Sequence, residues 1–238
     1  MKHLIETTDL SSLGNAKYDR LILDSSTNEM VYRGGVINAN GHSYVDLGLP
    51  SGTLWATMNV GAKTETDYGD YFMWGSTTPN TNTTCDWTNA PFNNGSSDYD
   101  EEYFNSVKNT VCPNGILAKE YDTASHIMGG DWRMPTQTEC QELVDNTNSE
   151  WVENFHGSSV NGRKFASKTD TSKYIFIPAS GFRSGSSFGN QGEISNIWSS
   201  SLSTSELYNV WVLSSTSYYV YADSDAFCKD GLVVRGVL

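Results

Sequence analysis

The C-terminal stretch from Ser195 to Leu238 reads SNIWSSSLSTSELYNVWVLSSTSYYVYADSDAFCKDGLVVRGVL. About half of it is Ser, Tyr, Asp, Asn and Thr, a composition typical of binding loops, where Tyr gives contact area and the others give adaptable hydrogen bonds. The same composition also fits a soluble sheet edge with ordinary polar turns. Interleaved with it is a sparse apolar set that predicts strands packed on a core: Ile197, Trp198, Val210, Val212, Val220, Val233, Val234 and Val237.

The length and charge of the chain limit the classes of protein it can be. Its 238 residues suffice for one large domain, or for one domain with a small appendage, and can bury a substantial core. Its 21 glycines and the scarcity of long helical patterns favour a turn-rich, mostly β or α+β fold. The net charge of −13 argues against nucleic acid or an anionic membrane as partner, because both bind basic surfaces.

The sequence predicts neither export nor membrane insertion. Its start, MKHLIETTDL, lacks the basic and apolar regions of a signal peptide, and no apolar run approaches the length of a membrane span. The four cysteines, Cys85, Cys112, Cys140 and Cys228, form no CxxC pair, which argues against zinc. A Cys85–Cys112 disulfide is compatible with the sequence, but without an export signal we expect free thiols.

Residues 1–40 differ in character from the rest and are predicted to be a separate N-terminal segment. Two apolar triplets, 21–23 and 30–32, flank the turn-forming sequence DSSTNE, which predicts a β-hairpin. Because a lone hairpin is barely stable in water, we expect the segment to pack on the main domain, on another copy of the chain or on a larger assembly.

Residues 41–238 are predicted to form one domain built from short elements. Thr136 followed by Glu139 is a capping-box signature, and it predicts a helix that continues to about Asn146. A second short helix is predicted over 121–128, before a Gly-Gly pair. Residues 162–183 read as strand, turn and strand, and 76–118 read as a long structured loop with room for one short helix.

Several single residues are predicted to stabilise the fold rather than to contact a ligand. Arg133 is predicted to hold backbone carbonyls or an acidic partner near the helix start, because Trp and Pro neighbours make an exposed arginine the weaker interpretation. Gly61 and Gly181 are predicted to adopt backbone conformations closed to other residues. Four tryptophans beside tight turns are predicted to anchor irregular loops to the core: Trp55, Trp74, Trp132 and Trp198.

Five motifs occur in order along the chain: VDLGLPSGTLWATMNVGA (45–62), DYGDYFMWG (67–75), GGDWRMPTQTECQEL (129–143), IFIPASGFR (175–183) and IWSSS (197–201). Together they resemble the large paralogous-domain family found mainly in Bacteroidetes and Fibrobacter. That family is similar in fold to C-type lectins, in the branch shared with formylglycine-generating enzymes. The resemblance implies an α+β, C-type lectin-like domain over about 41–238, with few short helices, and it does not cover residues 1–40.

Within that branch, the variable proteins of diversity-generating retroelements end in a region that is mutated at template adenines. The segment from about 198 to 235 is similar to those regions, with a Trp-Ser-Ser start and a Gly-x-x-Val-Arg close at 231–235. Such mutagenesis would explain the surplus of Asn, Ser, Tyr, Asp and Thr. The chain departs from the usual pattern at Cys228, where a polar residue is common, and at Gly236, where Pro is common.

Two other functions fit these residues less well. An enzyme of the formylglycine-generating type needs a reactive cysteine pair in the C-terminal part of the domain, and only Cys228 lies there. A calcium-dependent carbohydrate-binding lectin would have a Trp-Asn-Asp run, whereas serines follow Trp198. Asp223 and Asp225 could contact a cation, but Asp in a polar loop is more often only solvated, and the four histidines stand alone. We therefore predict no catalytic residue, no metal and no cofactor.

The remaining hypothesis is a binding module that recognises a protein or glycan ligand on a bacterial surface. It fits a receptor-binding protein of a phage tail fibre and also a surface-associated protein of a gut bacterium. Because virion proteins are assembled in the host cytoplasm, the lack of an export signal favours the virion over the cell surface or the cytoplasm. Residues 1–40 would then serve attachment or oligomerisation, and we expect a homotrimer or incorporation into a virion.

Strand alternation predicts which C-terminal side chains face the ligand. Over 208–213, Val210 and Val212 would point inward and their neighbours outward; over 217–222, Val220 would point inward. An outward Trp is typical of a binding anchor, although Trp211 could instead belong to the core. A rim loop over 223–230 and a preceding loop would complete one contiguous exposed patch. The predicted ligand-binding residues are Ser203, Thr204, Ser205, Asn209, Trp211, Tyr219, Tyr221, Asp223, Asp225, Phe227, Lys229 and Asp230.

Overall fold

The computed structural model of the chain describes residues 20–24, 29–33 and 36–238, with side chains from residue 38 onward. Short helices and several small sheets alternate through it, in agreement with the predicted α+β class. The strands, in chain order, are β1 (Arg20–Asp24), β2 (Glu29–Arg33), β3 (Val36–Ala39), β4 (His42–Val45), β5 (Trp55–Ala56), β6 (Tyr71–Phe72), β7 (Thr147–Val152), β8 (Gly162–Ser167), β9 (Tyr174–Pro178), β10 (Phe182–Ser184), β11 (Ser187–Gly189), β12 (Ser195–Leu202), β13 (Asn209–Ser215), β14 (Val220–Phe227) and β15 (Leu232–Val233).

Each α-helix in the described residues begins at a polar side chain that accepts a hydrogen bond from its first turn. The predicted helix after Thr136 is confirmed as α3 (Gln137–Asn146), and both bonds of the capping box with Glu139 are present. The predicted short helix is α2 (Thr123–Met128), which ends at Gly129. The region predicted as a long loop with room for one short helix contains one α-helix, α1 (Glu101–Val111), which is 11 residues long. Within the described ranges, no helix combines the length and apolarity needed to cross a bilayer.

The N-terminal hairpin agrees with its prediction, because β1 and β2 pair antiparallel across residues 25–28. The next strand, β3, pairs with β4, and β4 pairs with β5. The predicted segment boundary at residue 40 therefore falls in the turn between two paired strands. Residues 1–19, which belong to the predicted attachment segment, lie outside the described residues.

A five-stranded sheet, in the order β14-β13-β12-β15-β6, organises the C-terminal half of the fold. Strands β12, β13 and β14 form successive antiparallel pairs, while β15 runs parallel to β12. Apolar side chains cover both faces of the sheet. Trp198 and Val212 pack in a first core layer, and Ile197 and Leu213 pack with Leu143 of α3 in a second.

The C-terminal tail is part of the scaffold. Leu54 and Leu238 exchange two backbone hydrogen bonds of 3.1 and 3.0 Å, and Val237 bridges to the segments that carry Trp55 and Arg133. At Gly236 a Cβ would lie 2.5 Å from the Met128 sulfur and 2.9 Å from the Trp132 ring, so a larger residue would require these side chains to shift. The four tryptophans predicted as anchors are confirmed as fully buried: Trp55, Trp74, Trp132 and Trp198.

Two arginines stabilise the scaffold through side-chain hydrogen bonds, Arg133 within its own segment and Arg235 between distant segments. Arg133 donates from Nη1 to Glu139 Oε2 at 2.7 Å and to the Met134 carbonyl at 3.3 Å, so both of its predicted partners are present. Arg235 is fully buried, and its guanidinium donates to the Asn59 side chain and to the carbonyls of Ala56 and Phe176 at 2.8–3.0 Å. The closing arginine of the predicted variable region is therefore scaffold.

Gly181 confirms its predicted role. Its φ of +64° lies in the left-handed region, and a Cβ there would approach the Gly189 carbonyl oxygen to 2.0 Å. Gly61, with a φ of +82°, behaves in the same way, since a Cβ would meet the Asp70 carboxylate. A side chain at Gly181 would clash with backbone atoms, whereas one at Gly61 would be strained by its φ and would displace the Asp70 side chain.

Candidate functional site

Strand β14 is longer than the sequence predicted. It runs to Phe227, so the predicted rim loop over 223–230 is wrong for Asp223, Asp225 and Phe227, which are strand residues. The cause is pairing with β13, in which Trp211 lies opposite Asp225, together with inward packing of Ala226. Backbone pairing and apolar packing offset the low strand preference of aspartate. As the outermost strand of its sheet, β14 presents alternate side chains to solvent: Tyr221, Asp223, Asp225 and Phe227 are exposed.

A β-bulge divides the predicted patch between two faces of the sheet. The register shifts between Val212 and Ser214, where β14 contributes one residue more than β13. Leu213 and Ala222 pack in the second core layer, so Trp211 points to that face and Tyr221 points to the opposite one. The prediction of one contiguous patch is therefore wrong, because alternation was extrapolated through the bulge.

The predicted residues on the Trp211 side form a first group around the Asp225 carboxylate. We call this group the Asp225 patch, and its members are Ser203, Thr204, Ser205, Asn209, Trp211 and Asp225. Asp225 Oδ2 accepts hydrogen bonds from Ser205 Oγ at 2.7 Å, Asn209 Nδ2 at 3.1 Å and Ser203 Oγ at 3.4 Å. These bonds fix the loop after β12 against the edge hairpin. The result is a polar surface whose donors and acceptors are already oriented.

Individual members of the Asp225 patch differ in exposure. Thr204 and Ser205 are exposed, as predicted, and Trp211 is partly buried. Ser203 is buried, so its predicted exposure is wrong. Its backbone N–H donates to the Asn209 carbonyl at 2.9 Å, and this bond draws the residue inward. Ser203 therefore orients the patch from below rather than facing a ligand.

Phe227 belongs to an aromatic cluster that the sequence did not predict. Its ring centroid lies 5.7 Å from Tyr208 and 6.3 Å from Trp87, a residue of the 76–118 region. Lys229 Nζ lies 5.3 Å from the Phe227 ring and 2.8 Å from Asp230 Oδ1. The Lys229 and Asp230 side chains are only 18% and 15% exposed, so their predicted place on an open rim is wrong. Both charged side chains can be largely buried because Lys229 and Asp230 pair with each other and Lys229 also contacts the Phe227 ring.

A shallow cavity of about 290 Å³ adjoins the Asp225 patch and the aromatic cluster around Phe227. Its walls include Phe182 and Leu232 as apolar residues and Asn196, Asn209 and Asp225 as polar ones. The Asn209 side chain donates to Asp225, while its Oδ1 is buried and has no hydrogen-bond partner among the described residues. A buried acceptor without a partner is unfavourable, so a donor that reached it would bind favourably.

The second group lies at the far end of the same hairpin. Tyr219 and Tyr221 stack with ring centroids 4.9 Å apart and an interplanar angle of 23°. Tyr218, which was not among the predicted residues, is 94% exposed. The available signal was its position in the sequence Tyr218-Tyr219-Val220-Tyr221, which holds three tyrosines within four residues beside a hairpin turn. The loop is fixed from beneath by Arg163, whose Nη2 donates to the carbonyls of Thr216 and Tyr219.

Two further features of the described residues concern metal ions and thiols. In the part of the chain that the structure describes, no three His, Cys, Asp or Glu side chains lie close enough to hold a metal ion. Burial raises the pKa of the Cys85 thiol to about 11 and that of Cys228 to about 12, so both stay protonated near neutral pH. Comparison with protein-family models, curated proteins and solved structures found no match to this chain.

Proposed function

We propose that this chain is a ligand-binding variable protein with a C-type lectin-like domain, and that it recognises a protein or glycan on a bacterial surface. One observation carries the proposal. In the edge strand β14, exposed residues alternate with residues that pack in one of the two core layers, so the composition that favours binding is exposed on both sides of the bulge. An edge hairpin of this kind can change its outer side chains without changing the core.

The ends of the segment 198–235 support this separation of scaffold from variable surface. Trp198 donates from Nε1 to the Phe72 carbonyl at 2.7 Å, and Arg235 binds three buried oxygens. The serines after Trp198 are buried as well, and the Ser201 hydroxyl accepts the Gln137 N–H at 3.0 Å. Fixed, buried ends with a polar surface between them suit a scaffold that tolerates diversification.

The Asp225 patch supplies the recognition chemistry. It combines a carboxylate, an amide and exposed hydroxyls with the partly exposed ring of Trp211. Aromatic anchors surrounded by polar groups contribute most of the affinity in many interfaces. The setting that we propose is a phage tail fibre, where residues 1–40 attach or trimerise the chain and the patch contacts the host cell.

Binding of the labelled full-length chain to intact cells tests the proposal. We expect flow cytometry to detect saturable binding to some isolates in a panel of gut Bacteroidetes. Trp211→Ala removes the proposed anchor, so it should weaken that binding about 30-fold, the equivalent of about 2 kcal/mol. The control Glu102→Gln alters an exposed residue of α1 and should bind as the unaltered chain does. Equal binding by Trp211→Ala and the control, or no binding to any isolate, would contradict the proposal.

A further inference from the structure

A second concave surface lies at the tip of the β13–β14 hairpin. It encloses about 380 Å³ between β7, the loop at 190–194 and the turn at 216–219. Counted along β13, this end of the hairpin is roughly 17 Å from Trp211, at about 3.4 Å per residue. The cleft is therefore separate from the Asp225 patch. Its side chains include three aromatic rings and two carboxylates: Trp151, Glu153, Asn161, Glu193, Tyr218 and Tyr219.

Hydrogen bonds fix both walls of the cleft. Arg163 Nη2 joins the carbonyls at the two ends of the hairpin loop, and the Thr216 N–H donates to the Tyr219 carbonyl at 2.9 Å. On the other wall, the Asn161 amide donates to the Gly192 carbonyl at 3.1 Å and accepts the Asn154 N–H at 3.0 Å. A ligand would thus meet a preformed surface and would lose little affinity to loop ordering.

The exposed groups of the cleft favour a cationic ligand. Tyr218 is almost entirely exposed, and an aromatic ring left in water is available for contact with a partner. Glu153 and Glu193 are exposed, and neither takes part in an ion pair among the described residues. Rings and carboxylates in one cleft attract a cation in two ways, through the ring faces and through charge.

One cation of the chain itself lies behind the cleft and must be considered. The Arg163 guanidinium lies 6.0 Å from the Trp151 ring centroid, and its residue is buried. Its Nη2 hydrogen bonds are directed at two carbonyl oxygens, whose dipoles oppose its charge. The nearby Lys164 is paired with Glu150 at 3.3 Å. Among the side chains that the structure describes, Glu153 and Glu193 with the one buried guanidinium therefore leave a net negative charge at the mouth of the cleft.

We propose that this cleft binds an arginine side chain presented by a partner protein. A guanidinium is planar and can stack on Tyr or Trp while donating hydrogen bonds to a carboxylate. The chain's net charge of −13 adds a long-range attraction for a basic partner surface. This site does not depend on the function proposed for the Asp225 patch.

A titration followed by two-dimensional NMR of the full chain tests the assignment. The probe is an N-acetylated, C-amidated Gly-Arg-Gly peptide, and the matched probe carries neutral citrulline in place of arginine. We expect saturable shifts confined to the amides of 151–153, 161, 192–194 and 216–219 with the arginine peptide only. Equal response to citrulline, or shifts spread over the acidic surface, would overturn the proposal.

Paired variants distinguish binding in the cleft from attraction to the overall negative charge of the chain. The double change Glu153→Gln and Glu193→Gln should weaken arginine-peptide binding about tenfold, and Tyr218→Ala should weaken it about threefold. The control Glu102→Gln with Glu206→Gln removes the same charge from exposed positions outside the cleft and should leave the affinity unchanged. An equal loss in the control would show attraction to net charge alone. A response of the same amides to a neutral monosaccharide, without one to arginine, would make the cleft a sugar site and refute the proposal.

Discussion

Two tryptophans of the central sheet differ in what surrounds them, although both occur in the same polar-rich segment. Trp198 on β12 is fully buried in the first core layer and donates a hydrogen bond to the Phe72 carbonyl. Trp211 on β13 points to the other face, beyond the residues that pack with α3, and is partly exposed. The first should therefore matter for folding and the second for binding.

Urea denaturation of alanine variants checks this distinction. Trp198→Ala leaves a large void and an unpaired carbonyl, so it should lower the free energy of unfolding by about 3–5 kcal/mol. Trp211→Ala should cost less than half as much, because its ring is already partly in water. Trp198→Phe is a milder companion in case the alanine variant does not fold. A cost for Trp211→Ala equal to that for Trp198→Ala would place Trp211 in the core and remove it from the Asp225 patch.

Helix α3 holds one face of the sheet, and a single carboxylate organises its start. Glu139 closes the capping box with Thr136 and pairs with Arg133. Burial alone would raise the pKa of Glu139, but hydrogen bonds from Arg133 and Thr136 outweigh it and hold the pKa below the usual value of 4.5. The folded state thus favours the ionised form. This contribution to stability is present above the unfolded-state pKa and is lost as the pH falls through the folded-state value.

Replacing the two capping residues tests their contributions separately. Thr136→Ala should lower the free energy of unfolding by about 1 kcal/mol at neutral pH, the usual cost of losing an N-cap. Glu139→Gln should destabilise the chain at neutral pH, and the difference from the unaltered chain should shrink as the pH falls from about 5 to about 3. Urea midpoints across this range provide the measurement. A difference that stays constant with pH would rule out the charged capping contact as its source.

The full chain is expected to assemble through its N-terminal segment. Strand β3 pairs with β4, so a deletion that tests this should retain residues from 36 onward. We expect light scattering to report a trimer for the full chain and a monomer for the 36–238 fragment, because the fragment lacks the hairpin proposed to join subunits. A melting curve of the fragment serves as the control for folding. The same number of subunits in both proteins would argue against the assembly role.

Features set by neighbours along the chain were predictable. The capping box joins Thr136 to Glu139 within one helical turn, and the hairpin of β1 and β2 depends on a short turn-forming sequence between apolar triplets. The inward direction of Val210 and Val212 follows from alternation within one strand. In each case the determining interaction spans only a few residues, so the local pattern contains the necessary information.

Features set by contacts between distant residues were not predictable. The bulge opposite Leu213 reverses the direction of Tyr221, and it results from pairing between strands rather than from either strand alone. The cluster around Phe227 includes Trp87, which is 140 positions away, and the cleft depends on Arg163 of β8 reaching the loop at 216–219. Strand register and burial are settled by how the whole core packs, and short-range sequence patterns contain no record of that packing.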